Sequence, residues 1–300
     1  MSSLSSKVRG TILIKVIYLI AGIAGYASSL LFPDLDLLWR SAIADVVATL
    51  VVFVFSHFTK NASLYDPYWS VIPIWLIGWW LIEMGTADLM VYDWLMFLMV
   101  FIWGMRLTWN WWTGWKGMSH QDWRYTALKE KTGRWYPLVS LSGIHLFPTL
   151  LVFLGCLPIF YVIKNHTVIH DVSHLQSSIS ILFIFGAILL ESVADFQLRR
   201  WNKQNGGQVY RSGVWAWSRH PNYVGEVWFW GGLYLYAFSQ HPSLIWTGIG
   251  TLGMILLFRF ISIPMMEKRQ LKNKPGYAEY QKSVSMLVPP ILFHQMHTND

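Results

Sequence analysis

The 300-residue sequence is 54% hydrophobic and 13% charged, which is about half the charged fraction of a typical soluble domain. Its 16 acidic and 23 basic side chains are too few to cover a soluble surface of this size, and its 19 Trp, 14 Tyr and 17 Phe residues would make that surface prone to aggregation. These proportions exclude a soluble enzyme and indicate a membrane protein, in which aromatic side chains gather at the two interfaces. A single cysteine, Cys156, excludes an internal disulfide framework.

Eight apolar segments follow one another along the chain, each long enough, or nearly so, to cross a bilayer as a helix. They lie near residues 11–32, 41–58, 68–83, 90–105, 146–163, 178–197, 224–239 and 243–264. We therefore expect an all-α fold, a polytopic membrane helical bundle with seven or eight transmembrane helices. The first segment is too long for a signal-peptide core, so we expect it to stay in the protein.

Lys and Arg residues fall almost entirely on one side of this arrangement. The side that holds both termini carries the bases of segments 106–134 and 199–219 and those from Arg259 onward, whereas the other side keeps Arg40 and Lys164. Because positive loops stay in the cytoplasm, we expect both termini and the two long basic loops to be cytoplasmic. Anionic membrane lipids are a sufficient partner for the net charge of +7, and no nucleic-acid partner is predicted.

Acidic residues inside apolar spans are costly and are functional candidates by default. Asp45, Glu191, Asp195 and Glu226 lie in such spans. Glu191 and Asp195 share one helix face with Arg199, at positions i, i+4 and i+8. This face is either an ion-pair ladder between helices or a polar stripe that lines a cavity, and we favour the cavity because one arginine cannot neutralise two buried acids.

Three histidines, His166, His170 and His174, also recur at i, i+4 and i+8. They would share a helix face and could bind a metal ion. However, they lie in a short outer loop, and no carboxylate ligand follows on the same face. We expect a solvated loop and predict no metal site.

The densest group of polar residues precedes the seventh span. Pro221 suits the first turn of a helix, whose free N–H groups together with Arg219 and His220 would form an anion site. Asn222 and Glu226 project one turn apart from the same helix. This polarity profile favours a nucleotide that lies along the helix, with its phosphate at the cytoplasmic mouth.

The run Arg-His-Pro-Asn-Tyr-x-Gly-Glu from Arg219 to Glu226 follows an acid-bearing helix and precedes a Tyr-x-x-Tyr…Pro tail that ends at Pro289. It resembles the C-terminal domain of the steroid 5-alpha-reductase superfamily, most specifically over about residues 190–290. Within that superfamily the chain is similar to an uncharacterised reductase-like branch. The sterol C14- and C7-reductases and, more distantly, the isoprenylcysteine carboxyl methyltransferases are related.

The resemblance implies a membrane-embedded, NADPH-dependent reductase like the 3-oxo-5-alpha-steroid 4-dehydrogenases. It would reduce a carbon–carbon double bond conjugated to a carbonyl group, in a steroid, sterol-like or other lipid substrate that enters from the bilayer. The alternatives are an S-adenosylmethionine-dependent methyltransferase of the isoprenylcysteine type and a non-enzymatic lipid-binding or transport protein. We expect location in the endoplasmic reticulum of a eukaryote or the inner membrane of a bacterium.

The resemblance also divides one continuous membrane domain into a substrate-side half, residues 1–145, and a cofactor-binding half, residues 146–300. In the long loop from Trp109 to Pro137, most aromatic residues are expected to form an interfacial belt. Within it, the run Asp122-Trp-Arg-Tyr suits an adenine and a 2′-phosphate. The cofactor-binding candidates are Arg124, Tyr125, Glu191, Asp195, Arg199, Arg219, His220, Asn222, Tyr223, Glu226, Glu267 and Tyr280.

The substrate side departs from the family pattern. Steroid 5-alpha-reductases polarise the keto oxygen with a Gln-Glu pair and a Tyr, but the first hundred residues contain no Gln-Glu pair, and the Tyr position aligns near Trp103. Asp66 and Tyr68 are the candidate catalytic residues, as acid and oxyanion donor at the start of the third span. The alternative is that Asp66 caps the helix that Pro67 begins.

Overall fold

The computed structural model describes residues 2–85, 90–165 and 174–287 of the chain. Every regular element within these ranges is helical, and six of the helices are long and apolar enough to cross a membrane. The chain is therefore an all-α polytopic membrane bundle, as the composition predicts. It folds as two compact units, Met1–Val168 and Ile169–Asp300.

The first unit contains seven α-helices. They are α1 (Ser2–Ser29), α2 (Leu37–Phe58), α3 (Tyr68–Glu83), α4 (Val91–Gly114), α5 (Trp123–Thr132), α6 (Tyr136–Val139) and α7 (Phe147–Lys164). A 3₁₀ turn at Ala62–Leu64 precedes α3, another at Gly133–Trp135 precedes α6, and a π-helical stretch at Ser140–Leu146 joins α6 to α7. Local caps set some boundaries: the Asp36 side chain accepts a hydrogen bond from the Leu38 amide at the start of α2.

Helix α3 forms the centre of the first unit. It packs against α4 and α7, and its Leu76, Ile77 and Trp80 side chains are completely buried. A helix that is apolar on all sides is expected in such a position, because every face can contact another helix. The buried α3 backbone holds the residues just before it, which include Asp66, in a fixed position.

The prediction of a long loop from Trp109 to Pro137 is wrong, because most of this segment is helical. Helix α4 continues to Gly114, and the shorter α5 occupies Trp123–Thr132. The aromatic residues contact one another along the end of α4, where the Trp111 and Trp115 rings stack with their centroids 4.9 Å apart. Sequence polarity suggested a loop because α5 is short and buries none of its side chains.

Within residues 174–287, the described part of the second unit, there are five α-helices. They are α8 (His174–Gln204), α9 (Pro221–Gln240), α10 (Ile249–Leu257), α11 (Ile263–Asn273) and α12 (Tyr277–Ser283). Two 3₁₀ segments, Gly213–Ala216 and Pro242–Gly248, flank α9, and a π-helical stretch at Phe258–Ser262 joins α10 to α11. Pro221 occupies the first turn of α9, as its missing N–H predicts.

Helices α8 and α9 form the main contact of the second unit. Two glycines of α9 allow this approach: a side chain on Gly225 would overlap Glu191, and one on Gly232 would overlap Ile184. Small residues at such positions let helix backbones pack closely in membrane proteins. The close packing places Glu191 of α8 directly against the start of α9.

The six helical segments that meet the length and hydropathy of a membrane span correspond to six of the eight predicted spans. They are Ser6–Ser29, Leu37–Phe58, Val91–Gly114, Trp123–Lys164, His174–Gln204 and Pro242–Asn273. The other two predicted spans form α3 and α9. Helix α3 has 16 residues and is about 24 Å long, which is shorter than the apolar core of a typical bilayer. Helix α9 is continuous but carries polar side chains, which lower its hydropathy. The number of spans and the cytoplasmic location of both termini stay predictions.

The pair Gly231 and Gly232 provides a test of the α8–α9 contact. Gly232→Ala should destabilise the protein by about 1–3 kcal/mol, because the added methyl group overlaps Ile184 in a packed interface. Gly231→Ala is the matched control, since its new methyl group would lie 3.8 Å from Thr251, an ordinary contact. Thermal unfolding in detergent measures both, and equal stability of the two variants would contradict the packing.

Candidate functional site

The segment that contains Asp66 is fixed against the stretch before α5 in the first unit. The Asn61 side-chain amide donates to the backbone carbonyls of Met118 (2.8 Å) and His120 (3.1 Å). The Asp122 amide donates to the Ser63 hydroxyl at 2.9 Å. These contacts bring two motifs together that are separated by more than fifty residues in the sequence.

Asp66 and Tyr125 form a phenol–carboxyl pair at this junction. The Tyr125 hydroxyl donates to Asp66 Oδ1 at 2.5 Å. Burial raises the pKa of Asp66 to about 6, although the Arg124 charge and the bond from Tyr125 favour the carboxylate and lower this pKa. Arg124 itself is partly neutralised, because its Nε donates to Asp122 at 2.8 Å. A carboxyl group with this pKa exchanges its proton near neutral pH, as a general acid must.

The helix-cap interpretation of Asp66 is wrong. Helix α3 begins at Tyr68, its N-cap residue is Pro67, and no side chain caps it. The carboxyl group of Asp66 accepts instead from Tyr125. The cap prediction fails because the tertiary partner lies in a different part of the sequence.

Tyr68 pairs with a different acid from the one that sequence proximity suggests. Its hydroxyl donates to Asp45 Oδ1 at 2.9 Å, and both residues are buried, at 4% and 1% exposure. Asp45 Oδ2 is buried without a hydrogen-bond partner within the described part of the chain. The predicted acid and phenol, Asp66 and Tyr68, therefore belong to two separate phenol–carboxyl pairs. Asp45 stands out in the sequence as an acid in an apolar span, but no spacing rule links it to Tyr68.

In the second unit, Glu267 lies at the centre of a hydrogen-bonded cluster that includes Arg219 and His220. The Arg219 Nε donates to Glu267 Oε1 at 2.7 Å, and His220 Nε2 lies 3.0 Å from the same oxygen. Arg219 Nη1 donates to the backbone carbonyls of Gln281 (2.9 Å) and Val284. The guanidinium thus ties the start of α9 to α11 and to the segment around the end of α12.

Aromatic residues complete this cluster. The Tyr280 hydroxyl donates to the Trp215 carbonyl at 2.5 Å. The Tyr223 ring stacks between His220, with centroids 5.5 Å apart, and Phe258, 4.7 Å apart. Five of the predicted residues therefore share one cluster: Arg219, His220, Tyr223, Glu267 and Tyr280.

The acids of α8 and α9 occupy two environments. Glu191 is buried against Gly225, and Glu226 is buried and accepts from the Trp230 indole N–H at 2.9 Å. Asp195 and Asn222 are half-buried. The acidic face of α8 therefore runs from the buried helix interface toward a more accessible surface. The cavity that this face was expected to line stays a prediction.

The predicted cofactor residues divide equally into an accessible and a buried group. Arg124 and Tyr125 lie in the first unit, and the other ten lie in the second. The half-buried residues are Arg124, Tyr125, Asp195, Arg199, Asn222 and Tyr223, whereas the buried ones are Glu191, Arg219, His220, Glu226, Glu267 and Tyr280.

A dinucleotide phosphate needs cationic donors that reach solvent. In the second unit Arg199 is half-buried, and Arg211 is exposed and donates to the Gly276 carbonyl, so both side chains reach a surface that an anion can approach. The Arg219 guanidinium is 9% exposed and already donates to one carboxylate and two carbonyls. The donor set therefore fits a phosphate-bearing cofactor, with Arg219 better suited to holding α9 in place than to binding phosphate.

A pocket of about 380 Å³ lies between the beginning of α8 and the end of α9. It is lined by Gln176, Ile179, Ser180, Phe183, Leu235, Phe238, Ser239 and Pro242. None of the predicted cofactor residues lines it, and it lies at the far end of these helices from Asp195 and Asn222. His166, His170 and Pro289 lie outside the described residues. His174 is exposed but is the first residue of α8, so the loop interpretation is wrong for this histidine and stays a prediction for the other two.

Comparisons with known proteins give a family but no activity. A model of a protein family of unknown function (DUF1295) matches residues 52–284. An uncharacterised protein of Schizosaccharomyces pombe is 26% identical over 274 residues, and the match covers 80% of this chain and 76% of that protein. No solved structure matches the chain. The matching family is similar to the steroid 5-alpha-reductases, which agrees with the resemblance seen in the sequence.

The raised pKa of Asp66, about 6, predicts a pH-dependent stability. An ordinary Asp pKa is about 3.9, so the folded protein binds this proton more tightly than the unfolded chain. The resulting stabilisation is complete below about pH 4 and is lost as the pH rises through about 6. Asp66→Asn does not titrate, so its stability relative to the wild type should improve by about 1–2 kcal/mol between these pH values and neutrality. Thermal unfolding in detergent at several pH values measures this difference, and a constant difference would contradict it.

Tyr125→Phe extends this test, because it removes a hydrogen bond that lowers the pKa of Asp66. The pH dependence of stability should therefore move to higher pH in this variant. Tyr26→Phe is the control, since it removes an exposed phenol from the same unit. Equal pH profiles for the two variants would show that Tyr125 does not act on Asp66.

The Arg219–Glu267 ion pair should contribute strongly to stability. Arg219→Gln leaves a buried carboxylate without its arginine and should cost about 3 kcal/mol. Arg124→Gln removes a more exposed ion pair with Asp122 and should cost about 1 kcal/mol at most. Thermal unfolding compares the two, and limited proteolysis should show earlier cleavage near Val284 in Arg219→Gln. Similar small losses in both variants would show that the cluster is not a structural clamp.

Proposed function

The chain belongs to the DUF1295 family, whose members are similar to steroid 5-alpha-reductases, and on that premise we propose that it is a membrane-embedded, NADPH-dependent reductase. Its substrate would be a lipid-like molecule with a carbon–carbon double bond conjugated to a carbonyl group. The observation that carries this proposal is the buried hydrogen bond from the Tyr68 phenol to the Asp45 carboxyl group. Reduction of an enone needs a proton donor beside the carbonyl oxygen of the substrate. The Tyr68–Asp45 pair would provide such a donor in an apolar environment.

Bound NADPH would supply the hydride. As the double bond accepts it, negative charge develops on the carbonyl oxygen of the substrate, where a hydrogen-bond donor lowers the barrier. Because Tyr68 has one hydrogen and donates it to Asp45 Oδ1, the donor to the substrate oxygen would be the Asp45 carboxyl group. Tyr68 would hold this carboxyl group in place, and Asp45 would be its acid partner in place of the neighbouring Asp66. The buried surroundings of both side chains would exclude water and strengthen the bond to the oxygen.

Asp66 and Tyr125 would serve the same reaction at a less buried position. With a pKa of about 6, Asp66 takes up a proton from water near neutral pH and releases it again. Asp66 therefore keeps its proposed role as an acid, but in partnership with Tyr125. Arg124 favours the carboxylate form after proton release.

The accessible residues of the second unit would contact the cofactor directly. Arg199 would meet phosphate, and Asp195, Asn222 and Tyr223 offer a carboxylate, an amide and an aromatic ring on α8 and α9. The buried residues would act by holding these helices in place. Glu191 and Glu226 would do so through the α8–α9 contact. The cluster at the start of α9 would do so through Arg219, His220, Glu267 and Tyr280.

The membrane location supports a lipid-like substrate. Six helices with the length and hydropathy of membrane spans give an apolar molecule direct access from the bilayer. We further propose that the membrane is the endoplasmic reticulum in a eukaryote or the inner membrane in a bacterium.

Cofactor titration tests the proposal most directly. The purified, detergent-solubilised protein should bind NADPH, and Asn222→Ala should weaken binding by about five- to tenfold through loss of a hydrogen bond. Asn273→Ala, at the exposed end of α11, is the control and should bind as the wild type does. Binding of S-adenosylmethionine without NADPH would replace the reductase by a methyltransferase, and binding of neither would contradict both.

Turnover separates the roles of the two phenol–carboxyl pairs. With a 3-oxo-4-ene steroid as probe, Tyr68→Phe should lower kcat by about 10² to 10⁴ while leaving NADPH affinity unchanged. Tyr26→Phe again serves as the control. If Tyr68→Phe keeps full turnover while Tyr125→Phe loses it, the substrate oxygen is served by Asp66 and Tyr125 instead.

A further inference from the structure

A chain of buried hydroxyl groups leads to Asp45. The Tyr65 hydroxyl lies 2.8 Å from Thr149 Oγ1, which lies 2.9 Å from Thr49 Oγ1. Thr49 acts electrostatically on the neighbouring Tyr68 phenol, and Tyr68 donates to Asp45 Oδ1. Side chains from α2, from α7 and from the segment around the start of α3 thus form one connected polar array inside an apolar unit.

All five members of this array are buried. Asp45, Thr49, Tyr65, Tyr68 and Thr149 are each at most 4% exposed. Within the described part of the chain, Asp45 Oδ1 accepts from Tyr68 and Oδ2 is buried without a hydrogen-bond partner. A carboxylate in such surroundings would be very costly, whereas the neutral acid is much less so.

The direction of the hydrogen bonds follows from counting hydrogens. Each hydroxyl has one hydrogen to donate. If Thr49 donates to Tyr68, it must accept from Thr149, and Thr149 must then accept from Tyr65. All four hydrogens then point toward Asp45 Oδ1. The carbonyl oxygen is the stronger acceptor of a neutral carboxyl group, so we assign Oδ1 as the carbonyl oxygen of the acid. The acidic hydrogen is therefore left for Oδ2.

We propose that Asp45 is a neutral carboxylic acid that presents its hydrogen from Oδ2 to an oxygen atom of a bound ligand, and that Tyr65, Thr149 and Thr49 are positioning residues that fix this arrangement. The ligand class is an uncharged lipid-like molecule with a carbonyl oxygen, and this part rests on the proposed function. The hydroxyl array itself does not depend on it. Aligned hydrogen bonds strengthen one another, so the array also strengthens the bond from Tyr68 to Asp45.

Infrared difference spectroscopy of the purified protein, without cofactor or substrate, tests the array. The carbonyl stretching band of a protonated carboxyl group should be present in the wild type and lost in Asp45→Asn. Tyr68→Phe should move this band to higher wavenumber, because the hydrogen bond to the carbonyl oxygen is removed. Thr149→Val should move it in the same direction by less, and Thr149→Ser, which keeps the hydroxyl, should leave it in place.

Thr108→Val is the matched control, because it breaks a similar 2.9 Å hydroxyl–hydroxyl contact, with Ser70, outside the array. It should not move the band. Circular dichroism and thermal unfolding establish that each variant is folded, and Thr49→Val replaces Thr149→Val if the latter is not.

An unchanged protonated-carboxyl signal in Asp45→Asn would overturn the neutral acid. A folded Thr149→Val or Thr49→Val variant with an unmoved band would overturn the positioning role. Because no cofactor is present, either result is distinct from a failure to bind NADPH. A shift of the same band on addition of a 3-oxo-4-ene steroid is expected if the ligand class is correct, and an unshifted band at a concentration where that steroid binds would overturn it.

Discussion

The central constraint on this protein is the cost of leaving a polar group without a partner inside apolar helices. Asp45 shows how the first unit responds. Its carboxyl group accepts from Tyr68, and Tyr68 belongs to an array of hydroxyl groups that reaches α7. The partners are uncharged phenols and threonines, so the buried acid is balanced by hydrogen bonds. With the proposed neutral Asp45, such an arrangement would keep a proton in an apolar region, where proton donors are otherwise rare.

The second unit meets the same constraint with charges. Glu267 accepts from Arg219 and Gln281 and lies within hydrogen-bond distance of His220. Together these contacts join α9, α11 and the segment around α12. A buried ion pair of this kind stabilises the fold only because both charges are present, so loss of either partner is expensive. Arg219 then has a structural task that competes with binding a phosphate directly. The accessible residues of α8 and α9 are better placed for that contact.

Local sequence patterns predicted the helices well and their partners poorly. Pro221 at the start of α9 and the apolar segments are recognisable from periodicity and length, since each depends on neighbouring residues. The cap suggested for Asp66 was wrong because its hydrogen-bond partner, Tyr125, lies far away in the chain. The loop assigned around α5 was wrong because α5 is short and buries none of its side chains, so its sequence resembles that of a loop. The pairing of Asp45 with Tyr68 spans more than twenty residues and follows no motif. Asp66 was recognised as a candidate acid, but its partner was not.

The sequence by itself determined that the chain is an all-α membrane protein related to the steroid reductases, because low charge, long apolar segments and a polar run that resembles the family's are all readable from the order of residues. The tertiary structure alone decided which acids are neutralised by which donors. Hydrogen-bond partners are chosen by distance in space, and helices that pack together can come from any part of the chain. Of the acids that lie in the predicted apolar spans, Asp45 forms one phenol–carboxyl pair of the first unit. The acids of the other pair and of the ion cluster, Asp66 and Glu267, lie outside those spans, and contact in space alone assigns their partners.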